Sequence, residues 1–195
     1  MKDGLEGEIS RNLSETIDVV TAIRSDAAII ASLKEITHRC VSAISRGNKI
    51  MFVGNGGSAA DAQHLAAEIV GRFSIDRPGM PAIALTTDSS ILTSIGNDYG
   101  FEKIFSRQVE ALGNAGDVLI AFSTSGKSSN IIEALHAARK MGVSPIGFTG
   151  ANGADMVALC EYTICVPSDG TARIQEAHIV LGHIVCGFIE QALHE

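Results

Sequence analysis

Two short segments rich in glycine and hydroxyl side chains could hold a phosphate. Residues 54–58 read GNGGS, and residues 123–128 read STSGKS. Glycine lets a ligand approach the backbone closely, and a helix that begins after each segment would offer unpaired N–H groups to an anion. One such segment alone is typical of a tight turn with a helix cap. Two of them in one chain favour a shared site for a phosphate or a polyol.

Nucleotide binding is the obvious competing interpretation of glycine-rich loops. Neither segment fits the pattern GxxxxGK[ST], and the first segment does not continue into GxGxxG. A nucleotide-binding module therefore rests only on the strand and helix pattern described below, and it is the weakest of the functional hypotheses.

Two groups of polar side chains could bind a metal ion. His64 and Glu68 are four residues apart, so in a helix they lie on one face, although such a pair alone is more typical of a helix surface. Gln175, His178 and His183 recur in an apolar stretch, where buried polar groups need partners. Gln175 and His183 are eight residues apart, about 12 Å along a helix axis, so one ion reaches both only through extended side chains or a bend. His178 is the alternative contributor.

The order of apolar segments predicts the elements that position these residues. Apolar side chains at helical spacing predict two opening helices, at residues 9–20 and 26–46. Short apolar runs predict five strands, at residues 50–53, 82–86, 118–123, 145–149 and 162–166. Helical segments lie between and after them, at residues 58–72, 90–112, 128–141, 153–159 and 173–194.

This alternation of strands and helices is typical of the α/β class. We predict a five-stranded parallel sheet, doubly wound, with helices on both faces and right-handed crossovers. Ligands bind such sheets beyond the carboxyl ends of the strands, where both glycine-rich segments fall. No linker or repeat marks a boundary, so we expect one domain over residues 1–195, with a helical pair at 1–47 and an α/β core at 48–195.

Composition narrows the functional classes. The chain has 195 residues, of which 46% are hydrophobic, and no apolar run approaches the roughly 18 residues of a membrane span. Its amino-terminal segment mixes charges where a secretory signal would be basic and then apolar, so we expect a cytoplasmic protein. A net charge of −7 argues against nucleic-acid binding.

The four cysteines are Cys40, Cys160, Cys165 and Cys186, and no two of them form a CxxC pair. At this length they predict reduced, buried side chains in preference to a disulfide framework. A metal site formed by Cys160 and Cys165 is the weaker interpretation.

Four segments together resemble a known family. They are GNGGSAADAQHLAAE, TSIGNDYG, STSGKSSN and RIQEAHIVLGHIVC, in that order. The ordered set is similar to the SIS (sugar isomerase) family and, within it, to the phosphoheptose isomerases, over nearly the whole chain. The resemblance implies the SIS variant of a flavodoxin-like sheet and a homotetramer, with the opening helices between subunits and the active sites at the interfaces.

The resemblance also implies roles for individual residues. The residues implied to contact the sugar phosphate are Asn55, Gly56, Gly57, Ser58, Asn97, Asp98, Ser123, Thr124, Ser125, Ser128 and Gln175. Those implied to hold one zinc ion per subunit are His64, Glu68, Gln175 and His183. Asn97 and Asp98 are expected in the loop that follows the second strand.

The reaction implied is an aldose–ketose isomerisation. It converts sedoheptulose 7-phosphate into D-glycero-D-manno-heptose 7-phosphate, an early step toward the heptose of the lipopolysaccharide core. Moving a proton between C1 and C2 through an enediol requires a base, an acid and an electrophile. Glu68 and His183 are the candidate base and acid. A carboxylate bound to zinc is a weaker base, so the two roles of Glu68 conflict.

A non-catalytic SIS protein is the main alternative. The family includes sugar-phosphate sensors and a protein that binds the bacterial replication initiator DnaA. Such a protein needs no acid, base or metal ligands, so the joint presence of His64, Glu68, Gln175 and His183 favours the enzyme.

Overall fold

The computed structural model describes residues 2–194. The strands of this part of the chain are β1 (Ile50–Val53), β2 (Ala82–Ala84), β3 (Val118–Ser123), β4 (Ser144–Gly150) and β5 (Tyr162–Val166). The α-helices are α1 (Lys2–Ser25), α2 (Ala27–Ser45), α3 (Gly57–Val70), α4 (Ser89–Tyr99), α5 (Ser106–Leu112), α6 (Ser129–Met141), α7 (Ala154–Val157) and α8 (Thr171–His194). A short 3-10 helix spans Phe101–Lys103.

The strands form one parallel sheet in the order β2-β1-β3-β4-β5. The chain leaves β1 for β2 on one side and then returns to β3 on the other side, so the strand order reverses between β1 and β3. In open α/β sheets ligands bind at this switch point, beyond the carboxyl ends of the strands. The two glycine-rich segments follow β1 and β3, so the topology brings them to the same crevice.

The central strands are apolar on both faces because helices cover both. In β1, Ile50 and Phe52 belong to a core shared with α2, α3 and α8, whereas Met51 and Val53 belong to a second core shared with α5 and α6. Side chains alternate between the faces of a strand, which explains the continuous apolar runs. The predicted α/β class and parallel sheet are confirmed.

The predicted helix at residues 90–112 is wrong as a single element. Gly100 has φ of +93°, a backbone conformation that favours glycine, and it ends α4. The 3-10 helix and α5 follow separately. Asp88 caps the start of α4, since its Oδ1 accepts a hydrogen bond from the Ile91 N–H. This division exposes the end of α4, where Asn97 and Asp98 lie.

The opening helices differ in how they are covered. In α2, Leu33, Ile36 and Cys40 are buried in the core beside the sheet. In α1 only the last part reaches this core, through Ile23, and the other large apolar side chains form an uncovered stripe, composed of Leu5, Ile9, Leu13, Ile17 and Val20. Of the helices in the described part of the chain, none combines the length and apolarity needed to cross a bilayer.

Candidate active site

The loop after β1 contains three glycines, and each has a different structural consequence. A Cβ on Gly54 would lie 2.4 Å from the carbonyl oxygen of Ser58, so the turn into α3 closes only with glycine there. Gly56 has φ of +56°. A Cβ on Gly57 would lie 2.8 Å from both polar atoms of the Gln175 amide, so Gly57 lets α8 place that amide directly over the start of α3.

The loop after β3 gathers hydroxyls beside a helix start, from the buried Ser123 to the exposed Ser125. Ser123 Oγ and Ser128 Oγ are 3.1 Å apart, and Ser128 precedes α6 without using its side chain as a cap. The Ser125 hydroxyl accepts a hydrogen bond from the Lys127 N–H. The first turn of α6 also offers backbone N–H groups and the positive end of the helix dipole. This loop can therefore bind a phosphate without a basic surface.

A pair of asparagines joins the two loops. Asn55 Nδ2 donates to Asn130 Oδ1 at 2.9 Å, and Asn130 Nδ2 donates back to Asn55 Oδ1 at 2.8 Å. Asn130 is buried in the first turn of α6. Asn130 was not among the candidate site residues, although it is the last residue of the STSGKSSN segment. The reciprocal bonds hold the loops in one arrangement, as a shared site for one ligand requires.

His64, Glu68 and His183 form a compact cluster. His64 Nε2 lies 2.8 Å from His183 Nε2 and 3.3 Å from Glu68 Oε1, and the three potential ligand atoms lie within 4.8 Å of one another. Ligand atoms at about 2.0–2.1 Å from a tetrahedral ion are themselves roughly 3.3 Å apart. The cluster therefore fits a divalent transition-metal ion. Among the described residues, it is the one such group of three or more side chains.

Comparison with known proteins identifies the family. The SIS domain family profile matches residues 14–150. The chain is 54% identical over 185 residues to the phosphoheptose isomerase of Burkholderia pseudomallei (strain K96243), covering 95% of this chain and 94% of that one. The chain belongs to the SIS-domain phosphoheptose isomerases. Both the predicted family and its expected fold are confirmed.

Solved structures of the same family superpose closely on this SIS fold. The phosphoheptose isomerase of Neisseria gonorrhoeae gives a TM-score of 0.90 with 41% identity, over 96% of this chain and 99% of that one. The phosphoheptose isomerase of Francisella tularensis gives 0.86 with 34% identity, over 97% of each chain. The likeness extends over the opening helices as well as the sheet.

His178 does not belong to the cluster of His64, Glu68 and His183. It is fully buried, its Nε2 lies 3.3 Å from the Thr149 carbonyl oxygen, and its ring packs on Phe122 and Phe148. Burial lowers the pKa of His178 to about 4. Five residues along a helix rotate the side chain by more than a third of a turn, so His178 faces the sheet while His183 faces α3. The alternative that used His178 as a ligand is wrong.

Asn97 and Asp98 lie in the last turn of α4 and not in a loop. Both side chains are exposed, and Asn97 Nδ2 donates to Asp98 Oδ1 at 2.8 Å. Among the described hydrogen bonds, none connects them to the loops after β1 and β3. Their predicted contact with substrate stays a prediction.

Asp61 was missed by the sequence analysis. It lies in α3, one turn before His64, and its Oδ2 is buried with no hydrogen-bond partner among the described residues. Burial raises the pKa of the Asp61 carboxyl, and the nearby His64 partly opposes that shift. The spacing of Asp61, His64 and Glu68 places all three on one face of α3, and this pattern could have identified Asp61.

The cysteines are free, as predicted, and Cys40 and Cys186 are buried. Cys160 and Cys165 are only partly buried. Burial raises the pKa of the Cys160 and Cys186 thiols to about 12, so both are protonated and unreactive at neutral pH. A metal pair formed by Cys160 and Cys165 is not supported, because the part of the chain that the structure describes offers no third ligand beside them.

Proposed function

We propose that this protein is an aldose–ketose isomerase that converts sedoheptulose 7-phosphate into D-glycero-D-manno-heptose 7-phosphate. The observation that carries this proposal is the cluster that His64 and Glu68 of α3 form with His183 of α8, because α3 begins at the glycine-rich loop after β1. The names of its relatives, one of them 54% identical over most of both chains, support the same reaction. In this role the enzyme serves an early step toward the heptose of lipopolysaccharide.

The two parts of the site are spaced for a phosphorylated sugar. Gly57 and His64 are seven residues apart in α3, which corresponds to about 10 Å along the helix axis. A seven-carbon sugar in extended form can place its phosphate at the loops while C1 and C2 lie beside Glu68. Ser123, Thr124, Ser125 and Ser128 are the residues proposed to bind the phosphate, together with the backbone N–H groups of α6. Asn55, Gly56, Gly57 and Ser58 are proposed to bind the sugar.

The three clustered side chains are proposed to hold zinc. Gln175 is the fourth ligand proposed from the family. Its amide lies over Gly57, about 10 Å along α3 from His64, so its side chain must turn toward the cluster to reach the ion. Imidazole and carboxylate ligands suit several divalent metals, so the choice of zinc rests on the family. A bound divalent ion supplies an electrophile that polarises the carbonyl and stabilises the negative charge of the reaction.

Proton transfer is assigned to Glu68 and His183. Glu68 removes the proton from C1 of the ketose while the oxygen on C2 gains a proton, which gives an enediol. The protonated Glu68 then returns its proton to C2, and the oxygen on C1 loses a proton to give the aldehyde. His183 is the acid that gives the oxygen on C2 its proton, and it then takes the proton from the oxygen on C1. The reaction consumes no other reactant, because each proton taken from the sugar is given back.

Turnover of sedoheptulose 7-phosphate by the purified protein tests the proposal. We expect no aldose after chelation and aldose formation once zinc is restored. Equal rates in both states would contradict the catalytic metal. If no product forms in either state and the protein recovers the replication initiator DnaA in a pull-down, the non-catalytic alternative replaces the isomerase.

A homotetramer is the proposed assembly. The uncovered stripe on α1 and an apolar groove of about 610 Å³ between α2 and α8 support it. The groove is lined by Ile30, Leu33, Val41, Ile184 and Phe188, among others, and such large apolar surfaces are typical of subunit interfaces. Light scattering coupled to size exclusion should give four times the chain mass. A fully active monomer would contradict the tetramer.

The whole chain is proposed to form one domain in the cytoplasm. Ile29, Leu33 and Ile36 of α2 share a core with Ile50 and Phe52 of β1, which supports a single folding unit. One cooperative thermal transition is the expected result.

A further inference from the structure

A buried ion pair links the segment after α3 to the end of α8. Arg77 Nε lies 2.9 Å from Glu190 Oε1, and the two side chains are 2% and 1% exposed. A buried ion pair is weak support for stability, because the cost of removing both charges from water offsets their attraction. The groups that surround the pair therefore say more about its role than the attraction between its charges does.

Glu190 organises the backbone beside His183. Its carboxylate accepts hydrogen bonds from the N–H groups of Phe73, Ser74 and Ile75, at 2.8, 2.6 and 2.9 Å, and from the Ser74 hydroxyl. Burial alone would raise the pKa of Glu190, but these bonds lower it to about 2, so the carboxylate is charged at neutral pH. The Phe73 ring, held in this way, lies 5.8 Å from the His183 ring.

Arg77 organises the end of α3. Its Nη2 donates to the Glu68 carbonyl oxygen at 2.9 Å, and its Nη1 donates to the carbonyls of Ile69 and Gly71 at 3.0 and 3.1 Å. These carbonyls belong to the last turn of the helix, where they have no partner within the helix. Arg77 therefore caps α3 through the backbone of Glu68, one of the clustered side chains.

The pair connects the two helices that form the cluster. Glu190 follows His183 by seven residues, two helical turns, so both lie on the side of α8 that faces α3. The helices also touch next to the cluster, because a Cβ on Gly182 would lie 2.5 Å from Leu65 Cδ1. That contact sets how closely the helices approach, while the ion pair fixes their relative position further along.

We propose that Arg77 and Glu190 are positioning residues for metal binding, which lock α3 against α8 so that His64, Glu68 and His183 present their ligand atoms together. The proposal rests on the metal site proposed above. Only arginine fits this role, since its planar fork of donors reaches Glu190 and several carbonyls at once, whereas lysine offers a single ammonium.

Zinc affinity of the folded, metal-free protein tests the proposal. The variants are Glu190→Gln and Arg77→Lys, with Asp117→Asn as the matched control. Asp117 is also buried, pairs with Lys49 and accepts backbone N–H groups, but it precedes β3 at the edge of the sheet opposite the site. The zinc dissociation constant is measured by competition with a chromophoric chelator, at a temperature where far-UV circular dichroism gives the wild-type spectrum.

We expect Glu190→Gln and Arg77→Lys each to weaken zinc binding by roughly 10–100-fold, the effect typical of residues that support metal ligands. Asp117→Asn should change it less than about twofold. Wild-type affinity in folded Glu190→Gln overturns the proposal, and so does an equal loss in the control. If Glu190→Gln does not fold, Arg77→Lys decides the question alone.

The case in which the proposed metal site is wrong can be distinguished from the case in which only the positioning role is wrong. If the wild-type protein binds no zinc, crystal structures of wild type and Glu190→Gln decide the role of the pair through the His64 Nε2 to His183 Nε2 distance, 2.8 Å here. Separation of the two nitrogens in the variant supports the positioning role. An unchanged distance overturns it.

Discussion

The two loops after β1 and β3 (the hydroxyl loops, residues 54–58 and 123–128) and the cluster of His64, Glu68 and His183 are built in different ways. Each loop is a contiguous run of residues whose shape is set locally, by glycines and by a helix that begins immediately after it. The cluster joins side chains that are 119 residues apart and depends on how α3 packs on α8. The proposed phosphate site therefore depends on short-range geometry, and the proposed metal site depends on tertiary packing. Changes to the two regions should have separable effects.

Glu68→Gln should have the largest effect, and it acts at the cluster and not at the phosphate-binding loop. The amide cannot accept the C1 proton, so we expect kcat to fall by about 10²–10⁴-fold. KM should change little, because the hydroxyl loops are intact. Steady-state kinetics with sedoheptulose 7-phosphate measures both constants. A variant with unchanged kcat would remove Glu68 from the role of base.

Low pH should destabilise the core beneath both regions through His178. Its folded pKa of about 4 lies below the ordinary value of 6.5, so the unfolded chain takes up the additional proton. This contribution to the free energy of unfolding is complete above pH 6.5 and is lost as the pH falls to about 4. The loss is on the order of 3 kcal/mol.

Urea denaturation at a series of pH values measures this dependence, with His178→Gln as the control. The control removes the titrating group, so its stability should fall less steeply between pH 6.5 and 4. Parallel curves for the two proteins would show that another group is responsible.

Ser128→Ala should act on binding alone. Loss of one hydrogen bond to a charged phosphate costs about 1.5–3 kcal/mol, so KM should rise by roughly 10–100-fold. Zinc affinity and kcat should stay at wild-type values, because Ser128 lies in the β3 loop and not in the cluster. A fall in kcat with unchanged KM would place Ser128 in the chemistry instead.

Asn130→Ala should give the smallest effect and tests whether the two loops act as one site. It removes both hydrogen bonds to Asn55, each worth about 0.5–1.5 kcal/mol, but these bonds order the loops and do not touch the ligand, so only part of that energy is lost from binding and KM should rise several-fold. In the double variant with Ser128→Ala the two effects should not be additive, because the asparagine pair joins the sugar-binding loop to the loop that carries Ser128, and both loops hold one ligand. Additive effects would mean that the loops bind independently.

Features set by neighbouring residues could be predicted from the sequence. Residues 50–53, 118–123 and 162–166 are strands as predicted, since an apolar run between two turns leaves few alternatives. The break at Gly100 was missed, because apolar side chains continue at helical spacing on both sides of it. His64 and Glu68 were found because they belong to one helix.

Features set by tertiary contacts could not be predicted. Arg77 and Glu190 are 113 residues apart, and each alone resembles an ordinary surface charge. The separate orientations of His178 and His183 depend on which face of α8 meets the sheet. Periodicity did not decide this, because α8 is buried over much of its circumference.

Helix α3 also fixes the distance between the glycine-rich loop at its start and the side chains of the cluster. It starts at the glycine loop and is closed at its other end by Arg77, and a hydrogen-bonded helix does not stretch. With the phosphate at the loops, as proposed, the shorter carbon chain of a pentose phosphate would not bring its carbonyl as near to Glu68 as a heptose phosphate does. In that mode of binding, the fixed length of α3 would favour sugars of one chain length.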